Sequence, residues 1–406
     1  MRSLKKITAF FYGRTAELLL VIIVAVASLI TSILSAASIY DKCVNYLIVK
    51  NNKLNNAYLY AFAYTPGIID SYGVDGMKEL FRVKAEEIKN NTIVEKAYTV
   101  KISNSIEYNG VRTSIILYEN GFIKEFPMLG RFGLGFADDS DGCILTTSVF
   151  NEIHDGEYFD VDFYFGQEKT HGMLRSAGHL RYPYKHFEFA GYSSNLEADD
   201  VIVNSDVIIM QPDEGTLEML NRYTNVTYMP DVLFTIRENA SPKDVESFIN
   251  ELNNSGYVES FDDVVNNSRE TVFEALRYQF IRPFFFMIST VAAFLSIMVV
   301  VVNTKRRDMA IAYLCGAQRI DLINTAIHSS IAVCSVPSII GVAFILLAPG
   351  LQWTGRLERF GDGSLITPEL IWIVVAYFVL TLIVSVIAVL LTIGRKTPIE
   401  NLRRFE

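Results

Sequence analysis

Little in this sequence could carry catalysis. There are four cysteines, Cys43, Cys143, Cys315 and Cys334, and no two are spaced CxxC. That excludes a disulfide framework and a zinc ribbon. A Cys43–Cys143 bridge and four unpaired thiols both stay open. No GxxxxGK[ST] occurs, so the chain holds no phosphate-binding loop; no HExxH or GxSxG occurs either. The glycine-rich "GRFGLGFADDSDG" lacks GxGxxG spacing and a following helix, and reads as a surface loop. Its "DDSDG" makes a poor calcium loop, with Ala137 at the first ligand position and Ser148 at the last. His171, His179 and His186 are eight and seven residues apart. That spacing specifies no metal site, and they read as solvent-exposed. The expectation is a non-enzymatic chain with no metal or cofactor of its own.

Charge is missing from four long stretches. Leu18–Tyr40, Pro283–Thr304 and Leu370–Gly394 contain no charged residue, and Leu322–Gly355 contains none besides His328. At about 1.5 Å per helical residue each can cross a hydrocarbon core of about 30 Å. Residues of the AVILMFWYC set make up 50% of the chain and the mean hydropathy is +0.26, which points to an integral membrane protein. The first run is too long for a signal-peptide core and lacks a convincing A-x-A site, so it reads as an uncleaved anchor. Pro349-Gly350 is expected to end the third span and Pro337 to kink it. Carriers coupled to ions or protons need ionisable groups at membrane depth; their absence here argues against that class.

The net charge of −9 conceals an asymmetry. Asp41–Phe280 holds 21 Lys and Arg against 37 Asp and Glu, so −16, which leaves +7 for the rest. An acidic main polar region disfavours nucleic acid as a partner. Arg2, Lys5, Lys6 and Arg14 precede the first span; Lys305, Arg306, Arg307 and Arg319 lie between the second and third; Arg395, Lys396, Arg403 and Arg404 follow the fourth. With four spans these three groups share one side, and the positive-inside rule makes it the cytoplasm. Both termini are then cytoplasmic.

The predicted organisation is a membrane protein with four transmembrane α-helices and a large α+β extracytoplasmic domain inserted between the first and second. Its segments are a cytoplasmic amphipathic tail (1–16), the first membrane helix (17–40) and the outer domain with helical stalks (41–282). The second membrane helix (283–304), a cytoplasmic helix (305–321) and the third membrane helix (322–349) follow. A short outer loop (350–369), the fourth helix (370–394) and a cytoplasmic tail (395–406) complete the chain. In the first tail Leu4, Ile7, Phe10 and Phe11 have helical spacing, and both an interfacial helix and a frayed end fit.

Within the outer domain, 41–50 can continue the first membrane helix and "GMKELFRVKAEEIKNN" reads as a helix. "VEKAYTVKIS", "IEYNGVRTSIILYENGFI" with a turn at Asn109-Gly110, "GCILTTSVF", "YFDVDFYFG", "HFEFAGYSS", "DVLFTIREN" and "YVESFDD" read as strands. "SPKDVESFINELNNSG" reads as a helix capped by Ser241, with Pro242 in its first turn and Gly256 after its end. "NNSRETVFEALRYQFIR" is a helix leading into the second span.

Between the second and third spans, Met309–Ala317 is nine uncharged residues, too short to cross a bilayer. Met309, Ala312, Tyr313, Gly316 and Ile320 recur near helical spacing, and Ile311 and Leu314 leave no polar face. So apolar a helix must bury itself, either in the interface or in the groove of a protein partner.

"KRRDMAIAYLCGAQRIDLI" resembles the cytoplasmic segment of FtsX-like and MacB-like ABC-transporter permeases: basic residues, an acidic residue, an apolar helix, then Gly-Ala and a polar turn. Arg306, Arg307, Asp308, Ile311, Leu314, Gly316 and Ala317 match. "TPIENLR" resembles the family's closing Pro-x-x-x-Leu-Arg at Pro398, Leu402 and Arg403. "LGRFGLGFADDSDGCILTTSVFNEI" resembles an outer-domain stretch more loosely. The order of one span, a large outer domain and three spans is also that family's.

The resemblance implies a non-catalytic permease subunit in a bacterial inner or plasma membrane, paired with a second permease chain. A cytoplasmic ABC ATPase subunit would bind the ATP. Asp308–Gln318 would be its coupling helix, with Arg306, Arg307, Asp308, Met309, Ile311, Tyr313, Leu314, Gly316, Ala317 and Gln318 as the ATPase-coupling residues. Motion would pass through the stalks to the outer domains, called mechanotransmission, for export of peptides, toxins or lipoproteins or to drive an extracytoplasmic partner. Two other readings stay open: an FtsX-like regulator of cell-wall hydrolases, and a membrane-anchored sensor or scaffold without an ATPase.

Overall fold

The computed structural model describes residues 15–51, 56–63, 66–119, 121–122, 142–146, 150, 152–180, 185–187, 195–203, 207–224, 226–305, 308, 311–312, 314–316, 318–353 and 366–394. The elements in chain order are α1 (Thr15–Lys50), β1 (Ala57–Phe62), α2 (Pro66–Lys89, interrupted at Gly73), β2 (Val94–Tyr108) and β3 (Val111–Tyr118). Then come β4 (Cys143–Thr146), β5 (Tyr158–Phe165), β6 (Glu168–Leu180), β7 (His186–Phe187), α3 (Ala198–Val201), β8 (Ile202–Val203) and β9 (Val207–Met210). They continue with α4 (Glu214–Tyr223), β10 (Thr227–Ile236), α5 (Pro242–Asn253), β11 (Gly256–Ser260) and α6 (Phe261–Gln279). Last are α7 (Ile281–Thr304), α8 (Arg319–Trp353) and α9 (Ile371–Gly394). The chain divides into two compact units, one from Met1–Asp41 with Glu274–Glu406, the other Lys42–Phe273.

The α+β unit is organised by one nine-stranded sheet, in the order β11-β1-β10-β2-β3-β9-β4-β6-β5. Its first four strands are mutually antiparallel. They follow a β-α-β, β-α-β path, with α2 between β1 and β2 and α5 between β10 and β11. This is a ferredoxin-like frame, with residues 111–226 inserted between its second and third strands.

Alternation along the strands separates two cores. Tyr60 and Phe62 of β1 and Val232 and Phe234 of β10 join Phe81, Ala85 and Ile88 of α2 and Phe248 and Leu252 of α5. Ala57, Leu59 and Leu233, one residue out of phase, point into a second cluster with Val49 of α1 and Phe261 and Val264 of α6.

The inserted strands close on themselves. β2 leaves β10 after Ile102, shifts register between Ser103 and Ile106, and pairs with β5 through Ile106–Phe163 and Glu107–Asp162. With β3, β9, β4 and β6 this makes a closed ring of six strands. Ile106, Leu117, Ile208, Leu145, Leu174 and Phe163, one from each strand, share a buried cluster, so the ring is filled by side chains. The β2–β3 hairpin turns at Asn109-Gly110, with φ of 49° and 80° at the two positions, as the Asn-Gly pair predicts.

In the second unit, four helices among the described residues are long and apolar enough to cross a membrane: Thr15–Lys50, Phe261–Thr304, Ile323–Ala348 and Pro368–Leu391. In α1, Val21, Ala25, Leu29, Ile33 and Ala37 are buried every fourth residue, a single packed stripe. Its first part packs with Phe294, Met298 and Val301 of α7, and its second with Ile345 of α8 and Val374 of α9. Hydroxyls add a few directed contacts: Tyr377 donates to the Ala25 carbonyl at 3.1 Å, linking α9 to α1.

Several expectations change. α8 is continuous through Pro337 and Pro349 to Trp353, and its stretch long and apolar enough to cross a membrane is Ile323–Ala348. Ser335 and Ser338 donate to the carbonyls of Ala332 and Cys334, on either side of the one that Pro337 cannot satisfy. Phe261-Asp262-Asp263 is the first turn of α6 and not strand, because the Ser260 hydroxyl caps it by accepting from the Asp263 N–H at 3.1 Å. Ser241 precedes α5, and Pro242 is in its first turn, but the Ser241 hydroxyl makes no capping bond. Gly256 follows the end of α5 as expected and opens β11, where a Cβ would be 2.2 Å from the Ala61 carbonyl oxygen. The N-terminal tail, the glycine-rich loop around Gly133, most of "HFEFAGYSS" and the C-terminal "TPIENLR" lie outside the described residues.

Candidate functional site

The segment between α7 and α8 is built from two helix-end signals. Asp308, Ile311, Ala312 and Leu314 are helical, and Lys305 pairs with Asp308 at 3.3 Å. The Cys315 N–H still bonds the Ile311 carbonyl at 3.0 Å; Gly316 then takes φ +92°, the left-handed conformation that ends a helix. Gln318 starts the next helix, with Asp321 supplying the carboxylate half of a capping box. Its N–H donates to the Asp321 carboxylate at 3.0 Å, and its carbonyl accepts from the Asp321 N–H at 3.0 Å.

The apolar side chains of this segment point outward: Ile311 is 48% exposed, Leu314 71% and Ile320 60%. Among the described residues, none covers Leu314. Of the ten residues the sequence singles out, Asp308, Ile311, Leu314, Gly316 and Gln318 are described. Arg306, Arg307, Met309, Tyr313 and Ala317 lie outside the described residues.

Among the described residues, no group of three His, Cys, Asp or Glu could hold a metal ion. Two of the three clustered histidines are not exposed as expected. His186 is buried at 1% in β7, and the His179 side chain, 13% exposed, lies between the Asp155 carboxylate at 2.7 Å and the Phe150 carbonyl at 3.2 Å. His171 alone is open, beside Asp162. Cys43 and Cys143 do not pair; Cys143 is buried, and its thiol donates to the Arg175 carbonyl at 3.1 Å.

A polar cluster in the α+β unit was not legible beforehand. Asp199 of α3 accepts from Lys42 at 3.0 Å and from Asn45 at 2.6 Å, both on α1. The buried Lys185 donates to the same Asn45 amide at 2.5 Å. The residues just before Asp199 bond to the other helix, α6. The Ala198 N–H donates to the Ser268 hydroxyl at 2.8 Å, Thr271 donates to Glu197 at 2.6 Å, and Asn267 donates to the Leu196 carbonyl at 3.2 Å. Glu259 accepts from the Leu196 N–H at 2.7 Å and from Asn267 at 2.8 Å. Burial pushes the Glu259 carboxyl above the usual carboxylate range, against the Leu196 and Asn195 N–H groups that pull it down. Asn45, Lys185 and Ser268 are nearly inaccessible, whereas Glu197 and Thr271 are half-buried and the Lys42 and Asp199 side chains keep 24% and 35% of their surface.

No protein-family model and no curated protein sequence matches the chain. Among solved structures, the chain is similar to the periplasmic region of MacB from Actinobacillus actinomycetemcomitans. The match has 11% identity and a TM-score of 0.33, over 54% of this chain and 95% of that one. It is also similar to a domain of a putative permease protein from Porphyromonas gingivalis, with 10% identity and a TM-score of 0.24, over 52% of this chain and 88% of that one. TM-scores this low carry no conclusion about shared fold or shared function.

Proposed function

We propose that the chain is the membrane-spanning subunit of an ABC-type transporter complex that converts ATP hydrolysis by a separate ATPase into motion of the α+β unit. The observation that carries this reading is the insertion of that unit between the first two of four apolar helices, with helix at both crossings. A helix transmits displacement stiffly, where a Gly/Ser linker would absorb it. The uncharged span interiors offer no polar path through the bilayer, so the work is done outside it. The acidic unit lies on the extracytoplasmic side, and the basic flanks and both termini in the cytoplasm of a bacterial cell. Two such chains and two ATPases form the working complex, which exports peptides, toxins or lipoproteins. Asp308–Gln318 seats in a cleft of the ATPase, Leu314 being the most open apolar side chain among its described residues.

The test is purification of the chain in mild detergent from its native membrane, with the co-purifying chains identified. The wild type should carry an ATP-hydrolysing chain with a phosphate-binding loop. Leu314→Asp puts a charge into the apolar contact and should lower its recovery about tenfold or more. Membrane insertion and yield should stay at wild-type levels. Equal recovery with Leu314→Asp would remove the docking assignment, and absence of any ATPase from the wild type would remove the reading as a whole.

A further inference from the structure

We propose that Leu196–Asp199 is a clasp that sets the spacing of α1 and α6 within the α+β unit. These are the two helices in which the chain passes from one unit to the other. Both are tied to one four-residue stretch. Leu196, Glu197 and Ala198 bond α6 at Asn267, Thr271 and Ser268. Asp199 bonds α1 at Lys42 and Asn45. Adjacent residues thus grip different helices, and no flexible link intervenes between the two grips. The stretch is itself fixed: Glu197 and Asp200 form a reciprocal capping box around α3, and Leu196, Ala198 and Val201 are buried in the cluster that holds Val49 of α1 and Val264 of α6.

The chemistry suits a spacing device better than a general packing contact. A purely apolar wedge would let the helices slide or rotate at small cost. Hydrogen bonds are short in range and directional, and a shift that breaks the buried Ala198–Ser268 bond leaves a desolvated N–H. The clasp therefore permits the two helices to move together and opposes their moving apart. Its residues act as positioning residues, and the inference stands on the α+β unit alone, whether or not an ATPase docks elsewhere.

The experiment is a distance measurement by double electron–electron resonance on the full chain in lipid nanodiscs. Spin labels replace Leu47 on α1 and Phe273 on α6, both exposed, in a background without native cysteines. The unaltered clasp should give one narrow distribution. Asp199→Ala with Thr271→Val removes a tie to each helix and should broaden the distribution or shift it by several ångström. Asp213→Ala, a loss of a helix cap away from the clasp, should leave it unchanged. An unaltered distribution in the folded double variant overturns the proposal, and so does equal broadening in the Asp213→Ala control. If the double variant does not fold, Thr271→Val and Asp199→Asn are measured singly, with hydrogen exchange at Leu196–Val201. Loss of one such bond should speed exchange there about tenfold, including at the amides that face the untouched helix. Exchange that changes on the mutated side alone, or not at all, overturns it as well.

Discussion

Asp213 shows what one side chain contributes at a helix start. It precedes α4, and its carboxylate accepts from the Thr216 N–H at 2.7 Å. The Thr216 hydroxyl and then its amide hold the carboxyl below the 3.8 of a free aspartate. A group whose folded-state pKa is depressed stabilises the fold above its unfolded pKa and loses that contribution as pH falls through the folded one. Asp213→Ala should therefore lower the melting temperature near neutral pH, and the gap to wild type should close as pH falls below 3.8. A gap that stays constant from neutral pH to that range would show that the cap acts without its charge. This cap was not anticipated, whereas Ser241 was expected to cap and does not. Sequence proposes which residue types can cap, but the entry angle of the chain decides whether an oxygen reaches the orphan amides. Gly256 teaches a related lesson. It follows the end of α5 as expected, but the constraint on it comes from the Ala61 carbonyl across the β1–β11 ladder, far away in sequence.

At the level of elements, signals contained within one segment were readable, and signals supplied by a neighbour were not. The four apolar runs, the Asn109-Gly110 turn, α5 and the continuation of α1 to Lys50 follow from local pattern. β1 was missed because "AYLYAF" lies between two helix-like stretches and is a strand through pairing with β10 and β11. β6 was missed because "EKTHGMLRSAGHL" has many polar residues; its alternation of exposed and buried positions comes from pairing with β5 and β4. The same pairing buries His179, which a reading of isolated polar residues places in solvent. In the membrane-type helices the run predicts the helix but not its partners. Tyr377 reaching the Ala25 carbonyl is a tertiary choice, and interhelical hydrogen bonds of this kind contribute about 0.6 kcal/mol. Tyr377→Phe keeps the ring's packing and should lower stability by about that amount in a detergent or lipid unfolding titration. A loss several times larger would mean that the hydroxyl contributes more than an ordinary interhelical bond.

For the whole molecule, the charge distribution makes the sharpest claim. The −16 of Asp41–Phe280 and the +7 elsewhere predict opposite sides of a membrane for the α+β unit and for the segment between α7 and α8. The cysteines provide the means to check it. Cys315 is exposed beside Leu314, whereas Cys143 and Cys334 are buried. Burial pushes the Cys143 thiol up to about 12, so at neutral pH it offers neither access nor thiolate. With Cys43→Ser removing the partly accessible thiol of α1, a membrane-impermeant maleimide should label Cys315 alone. It should do so in inverted vesicles and not in intact spheroplasts, and Cys143 should react only after denaturation. Labelling of Cys315 in spheroplasts would reverse the orientation. It would put the α+β unit in the cytoplasm and the Leu314 face outside, where no ATPase could reach it. The labelling site thus decides whether the segment lies where a cytoplasmic ATPase could reach it, without knowledge of the substrate.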